Sequence, residues 1–193
     1  MVRRRQRRLV WTIPSELGDW ALDAKEVLKP GAANVALITG NDPLDVEYNP
    51  ATESIQFSFN IGVINSGTAP DAIRGGNATF ERLGVTRRQL LSTDQVNFYD
   101  TENTLIRLQL PYILGTPYQK TLNCRVSSES GWASLEQLDG SDDLSRLRLN
   151  VEGANTTVHT AELCFYLTQA AVAQLFEAHH AMFVKPDLCG EAQ

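Results

Sequence analysis

Acid, base or metal chemistry in this chain would have to begin with three histidines, His159, His179 and His180, whose side chains titrate closest to neutral pH. His179 falls on the apolar stripe of a helical pattern and reads as a core histidine. His180 stands three residues after Glu177, a helical spacing that could hold one side of a metal site if other ligands completed it. Asp139, Asp142 and Asp143 gather carboxylates of the kind calcium takes. They lack the DxDxDG spacing of a calcium loop and read as a solvated turn. Cys124, Cys164 and Cys189 are odd in number and without CxxC spacing, which argues against a zinc knuckle and a full disulfide framework. Reduced, mostly buried thiols are expected, with a Cys124 to Cys164 bridge between two strands as the alternative. No GxSxG elbow, GxxxxGK[ST] or GxGxxG loop, or HExxH pair is present. No catalytic or metal-ligating residue is therefore assigned, no cofactor or small-molecule substrate is called for, and the chain reads as a non-enzyme.

The strongest electrostatic feature is Arg3, Arg4, Arg5, Arg7 and Arg8, five charges in six positions. Such a tip reads as a solubilising terminus, as the basic flank of a membrane segment, or as an arm that contacts nucleic acid or another anionic surface without sequence preference, each contact contributing through counterion release. The formal charge is −6; setting the tip aside leaves 12 basic residues against 23 acidic ones, about −11. The body would repel the polyanions that the tip attracts. Leu9 to Ile13 is shorter than the ~7 apolar residues of a signal h-region. No apolar run approaches the ~18 residues of a membrane span. With neither a signal peptide nor a span readable, the chain reads as soluble, and its compartment, cytoplasm or virion, is left open.

These groups must be positioned by strands for the most part. Ile55, Phe57, Phe59, Ile61 and Val63 alternate with Gln56, Ser58, Asn60 and Gly62, the period of a strand with one buried face, and Asn65-Ser66-Gly67 supplies a tight reversal before Pro70. Before it, Ser15 caps a helix with Leu17, Trp20, Ala21, Ala24, Val27 and Leu28 on one face, and Pro30 stops it. Val35 to Thr39 and Leu44 to Tyr48 then lead into the long strand as a meander. After it, Ala78 and Phe80 follow Gly75-Gly76 at strand spacing, the glycines marking a bulge or turn. Thr86 to Leu91 reads as a helical turn with Arg87 and Arg88 exposed. Gln95 to Tyr99, Thr104 to Leu110 and Tyr118 to Val126 read as strands, with Pro111 and Pro117 bracketing a loop. The Trp132 segment fits strand or coil. Leu147, Leu149 and Val151 alternate with Arg146, Arg148 and Asn150. The loop 152–155 returns the chain into Thr157 to Leu167, which carries Ala161, Leu163, Phe165 and Leu167 on one face with His159 at its open end. Thr168 caps a last helix carrying Val172, Leu175, Phe176, His179 and Phe183, which Pro186 ends.

The run FSFNIGVINSGTAPDAI, residues 57–73, resembles the early core strand and following turn of bacterial immunoglobulin-like sandwiches of the adhesion and fibronectin type III class. The resemblance spans some twenty residues and implies a binding or spacer role. The chain departs from that pattern in its terminal helices and basic arm, and lacks the Cys, Trp, Cys arrangement of antibody domains. The expected fold is all-β, a two-sheet sandwich of about nine strands, immunoglobulin-like or alternatively a jelly roll, with an N-terminal and a C-terminal helix. Residues 1–13 form the basic arm and 14–193 a single domain. The expected function is a protein-interaction or structural module able to self-assemble. The alternative is a small viral jelly-roll coat protein, which a basic arm on a β-sandwich resembles, the arm contacting nucleic acid or a neighbouring subunit.

Overall fold

The computed structural model describes residues 33–40, 42–83, 88–101, 105–133, 138 and 142–186. The arginine tip and the expected first helix lie outside them. The described chain is mostly antiparallel strand: β1 (Val35–Thr39), β2 (Leu44–Asn49), β3 (Ser54–Asn65), β4 (Asp71–Ile73), β5 (Gly75–Arg82), β6 (Arg88–Thr93), β7 (Val96–Asp100), β8 (Ile106–Arg107), β9 (Tyr112–Leu114), β10 (Tyr118–Ser127), β11 (Asp143–Glu152), β12 (Val158–Leu167) and β13 (His180–Phe183). One helix, α1 (Gln169–Ala178), carries the chain from β12 to β13. Thirteen described strands replace the nine expected; the surplus is β4 and β9, three residues each and too short for alternation to reveal, together with β6 and β13, where helix was expected.

The larger sheet runs β13-β2-β3-β10-β7-β8, the smaller β12-β11-β5-β6, and β4 pairs with β9. β3 is central because its twelve residues serve three partners: β10 along one edge, β2 and β1 end to end along the other. The expected meander is thus corrected, since β1 pairs with β3 rather than β2. As its alternation demands, β3 buries Ile55, Phe57, Phe59, Ile61 and Val63. Phe57 meets Phe80 of the smaller sheet edge-on at 5.4 Å between centroids and Phe165 at 6.4 Å, and Phe165 stacks on Phe183 at 5.6 Å. The two sheets therefore share one apolar core, in which each buried phenylalanine contributes about 1.5–3 kcal/mol. The Trp132 segment is coil, its ring edge-on to Phe80 and its Nε1 donating to the Leu90 carbonyl at 3.0 Å.

Asn65, at the end of β3, does more than turn the chain. Fully buried, it accepts through Oδ1 from Asn34 N at 3.2 Å and Gly67 N at 3.1 Å, and donates through Nδ2 to the carbonyls of Ala69, Gly115 and Leu114 at 3.0, 3.1 and 3.4 Å. One amide thus ties the entry to β1, the 66–69 turn and the loop after β9; the Leu110–Pro111 bond before β9 and the Thr116–Pro117 bond after it are cis.

Four local expectations are overturned. The 86–91 segment yields strand β6 from Arg88, because Leu91 docks inward opposite Phe80; pairing overrides the helix preference of Arg, Gln and Leu. The last helix starts at its Thr168 cap, whose side chain accepts from Ala171 N, but ends at Ala178, where His179 turns left-handed at φ 61°. Its carbonyl receives Tyr48 N at 2.9 Å, and Phe183 reaches the core on β13 instead. Gly75 and Gly76 are ordinary strand residues; Gly76 is small because Asn150 O, Val96 and Phe98 press on it at 3.1–3.5 Å, and the β5–β6 bulge falls at Phe80/Glu81. Finally, Cys124 is a free thiol facing the core beside Phe59 and Phe98, where burial pushes its pKa well up, whereas Cys164 is disulfide-bonded. Neither three reduced thiols nor a Cys124 to Cys164 bridge describes the chain.

Candidate interaction surface

His159 does meet a carboxylate. Buried Asp71, at the start of β4, accepts through Oδ1 from its neighbour Ala72 N at 2.7 Å and from Ala154 N at 2.6 Å, and its Oδ2 lies 3.1 Å from His159 Nε2 at the start of β12. Thr157 Oγ1 approaches the same Nε2 at 3.5 Å while donating to Ala154 O. A nucleophilic triad needs the carboxylate on one ring nitrogen and the hydroxyl on the other, so that the proton can pass between them. With both on Nε2, the cluster is a clamp that fastens β4 to the β11–β12 turn. Gly153 completes it, because a methyl there would run into Thr157 Oγ1 and stand 2.8 Å from His159 Nε2.

The remaining chemical candidates are also spent on structure. His179 is exposed and caps α1, its ring 5.8 Å from Tyr48, which corrects the core-histidine reading. His180 lies on β13 beyond the helix, so the Glu177 spacing is lost; its Nε2 stands 2.7 Å from Asp45 Oδ1, outside hydrogen-bond alignment. Asp142 turns its Oδ1 to Gln169 N at 3.2 Å, serving the helix N-terminus, where a carboxylate is favoured. Asp139, Cys189 and Arg3, Arg4, Arg5, Arg7 and Arg8 lie outside the described residues.

The outer faces of the two sheets differ in charge pairing. On the smaller sheet Arg146 bonds Glu81 at 2.8 Å and Glu162 at 3.4 Å, and Arg148 bonds Glu162 at 2.7 Å. Partial burial disfavours the Arg146 charge, yet its two glutamates outweigh that and hold its pKa above the ordinary arginine value. The charges of this ladder are paired with one another, although the Arg146 Nε is buried without a hydrogen-bond partner. On the larger sheet the Arg125 guanidinium lies over the Tyr99 ring at 4.7 Å, its Nε donates to Asn123 Oδ1 at 3.3 Å, and Asn123 donates to Asn60 Oδ1 at 3.3 Å. Arg107 sits opposite Tyr99 across the β7–β8 pair. Among the described residues no carboxylate forms an ion pair with Arg125 or Arg107.

That face ends at an open edge. Among the described residues β8 pairs with β7 alone, and the 105–113 stretch exposes Leu105 (53%), Ile106 (60%), Leu110 (41%) and Ile113 (62%). The β6 edge of the smaller sheet instead exposes Arg88, Gln89 and Ser92, the polar blunting expected of an edge kept from pairing. A shallow cleft of about 630 Å³ opens at β8, lined by Val96, Asn97, Phe98, Arg107, Leu108, Gln109 and Leu110. Periodicity alone places Tyr99 and Arg125 on polar strand faces. It cannot show that two residues 26 positions apart in sequence are set side by side.

No protein-family model matches the chain, and no curated protein sequence matches it. Among solved structures, the ApaA protein from Bordetella pertussis aligns with 83% of this chain and 100% of its own at 7% identity, with a TM-score of 0.30. A likeness that loose carries no argument about fold or activity. No described helix is long and apolar enough to cross a membrane.

Proposed function

We propose that this chain is an immunoglobulin-like sandwich acting as a non-enzymatic interaction module, and that it docks an extended segment of another protein along the β8 edge. Strand order supports the fold reading. β1-β3-β10-β7 and β12-β11-β5-β6 correspond to the A-B-E-D and G-F-C sheets of that class with one added C′ strand, β2, β8 and β13 extending the first sheet. Fold does not assign activity, so the function rests on the surface. The observation that carries it is the open β8 edge flanked by exposed Leu105, Ile106, Leu110 and Ile113. An added strand gains affinity from main-chain hydrogen bonds and specificity from the side chains it meets. Leu108 N already bonds Phe98 O at 2.8 Å, and antiparallel bonds alternate, so the Arg107 N–H points outward and is available to a further strand.

A photo-crosslinking residue at position 106, introduced in the source cell, is expected to capture another protein. The same residue at Thr160, on the outer face of the smaller sheet, is expected to capture none. Adducts at 160 alone, or only with a second copy of this chain, would contradict the proposal.

A further inference from the structure

We infer that Arg125 and Arg107, placed on either side of Tyr99, form a recognition site for acidic side chains, so that the segment docking at β8 is an acidic one; this rests on the edge reading above. A free arginine side chain loses several rotatable bonds when it engages a ligand. Here much of that ordering has already taken place. Tyr99 supports the flat face of the Arg125 guanidinium, and Asn123 holds its Nε, itself anchored on Asn60. With Nε engaged, the two terminal nitrogens are left to meet a carboxylate in the forked, two-bond geometry that lysine cannot reproduce.

Charge points the same way. Arg146 and Arg148 pair with glutamates, whereas Arg125 and Arg107 have no described carboxylate partner; the acids on their sheet face, Asp45 and Glu47, stand on β2, beyond β3 from Arg125, so the β7–β8 end of the face is locally basic. Arg107 lines the cleft at β8 together with the Asn97 and Gln109 amides, which supply neutral hydrogen bonds beside the charge, while Leu108 and Leu110 supply apolar lining. An extended strand at this edge would lay alternate side chains on the face that holds both guanidinium groups. A partner alternating acidic and apolar residues meets both features at once.

The test uses the full chain, its variants and two synthetic extended peptides, one alternating glutamate with valine and one alternating glutamine with valine, read by fluorescence anisotropy. The glutamate peptide is expected to bind about tenfold more tightly than the glutamine peptide, an advantage that Arg125→Gln and Arg107→Gln each remove. Arg125→Lys is expected to keep the charge and still lose several-fold. Replacement of Arg3, Arg4, Arg5, Arg7 and Arg8 by glutamine should leave the glutamate preference intact. Equal binding of both peptides, lost in Ile106→Lys, would overturn the arginine site while leaving the edge standing; binding of neither peptide would overturn the site as well. Displacement of the glutamate peptide by a DNA oligonucleotide in an Arg125-dependent manner would replace the acidic segment by a polyanion and so contradict the inference.

Discussion

Phe57→Ala is expected to destabilise the fold by about 3–5 kcal/mol, the usual cost of emptying a buried phenylalanine site that cannot collapse. Phe57, the fourth of the twelve residues of β3, has no exposure, and its ring touches the smaller sheet twice, at Phe80 and Phe165. Both layers are fixed by their own hydrogen-bonded ladders, so neither can move in to close the void. Against a total of about 5–15 kcal/mol for a typical domain, such a loss would consume a large fraction of the stability. Urea unfolding followed by tryptophan emission measures it. Gln56→Ala, one residue away on the opposite face, should stay within about 0.5 kcal/mol of the parent protein. A loss below about 1 kcal/mol for Phe57→Ala would mean that this ring does not bridge the layers.

Asn65→Ala is expected to cost about 3 kcal/mol or more, although only a small polar side chain is removed. The loss strands two backbone N–H donors and three carbonyls, each of which costs about 1–3 kcal/mol when buried without a partner and less where water can reach it. Asn65→Asp should not rescue it. The acceptor side survives, but a carboxylate oxygen replaces the donor that faced three carbonyls. Denaturant unfolding of both variants, with Ser66→Ala as a near-neutral comparison, decides the matter. An Asn65→Asp protein as stable as the parent would contradict the assigned amide orientation.

How far the sequence discloses this arrangement depends on how local each cause is. β3, β10, β11 and β12 are readable because one buried and one solvated face impose a two-residue period over ten or more residues. The β11–β12 hairpin is readable too, since Gly153 and a short turn join two alternating runs. Partners distant in sequence are not. Nothing local tells β3 to lie beside β10 or β5 beside β11, yet those pairings set the strand order. β6 was hidden by residues that favour helix until Leu91 finds Phe80. The end of α1 was hidden because Phe183 satisfies a helical repeat and a strand alternation equally well. The site follows the same rule. His159 was visible as a residue type, but its meeting with Asp71, 88 positions away, was not, and that meeting turns it from a candidate base into part of a clamp. Tyr99, Arg107 and Arg125 carry no motif, and only the β10-β7-β8 order makes them neighbours.

The central claim, that the β7–β8 face is where this protein meets its partner, is tested most directly by residue-resolved amide hydrogen exchange on the full chain with and without the glutamate–valine peptide. Strand addition predicts slowed exchange at the outward amide of Arg107 and its neighbours along the edge, with the β5-β11-β12 face unchanged. Protection confined to the smaller sheet or to the first eight residues, with the Arg107 amide exchanging as before, would contradict it.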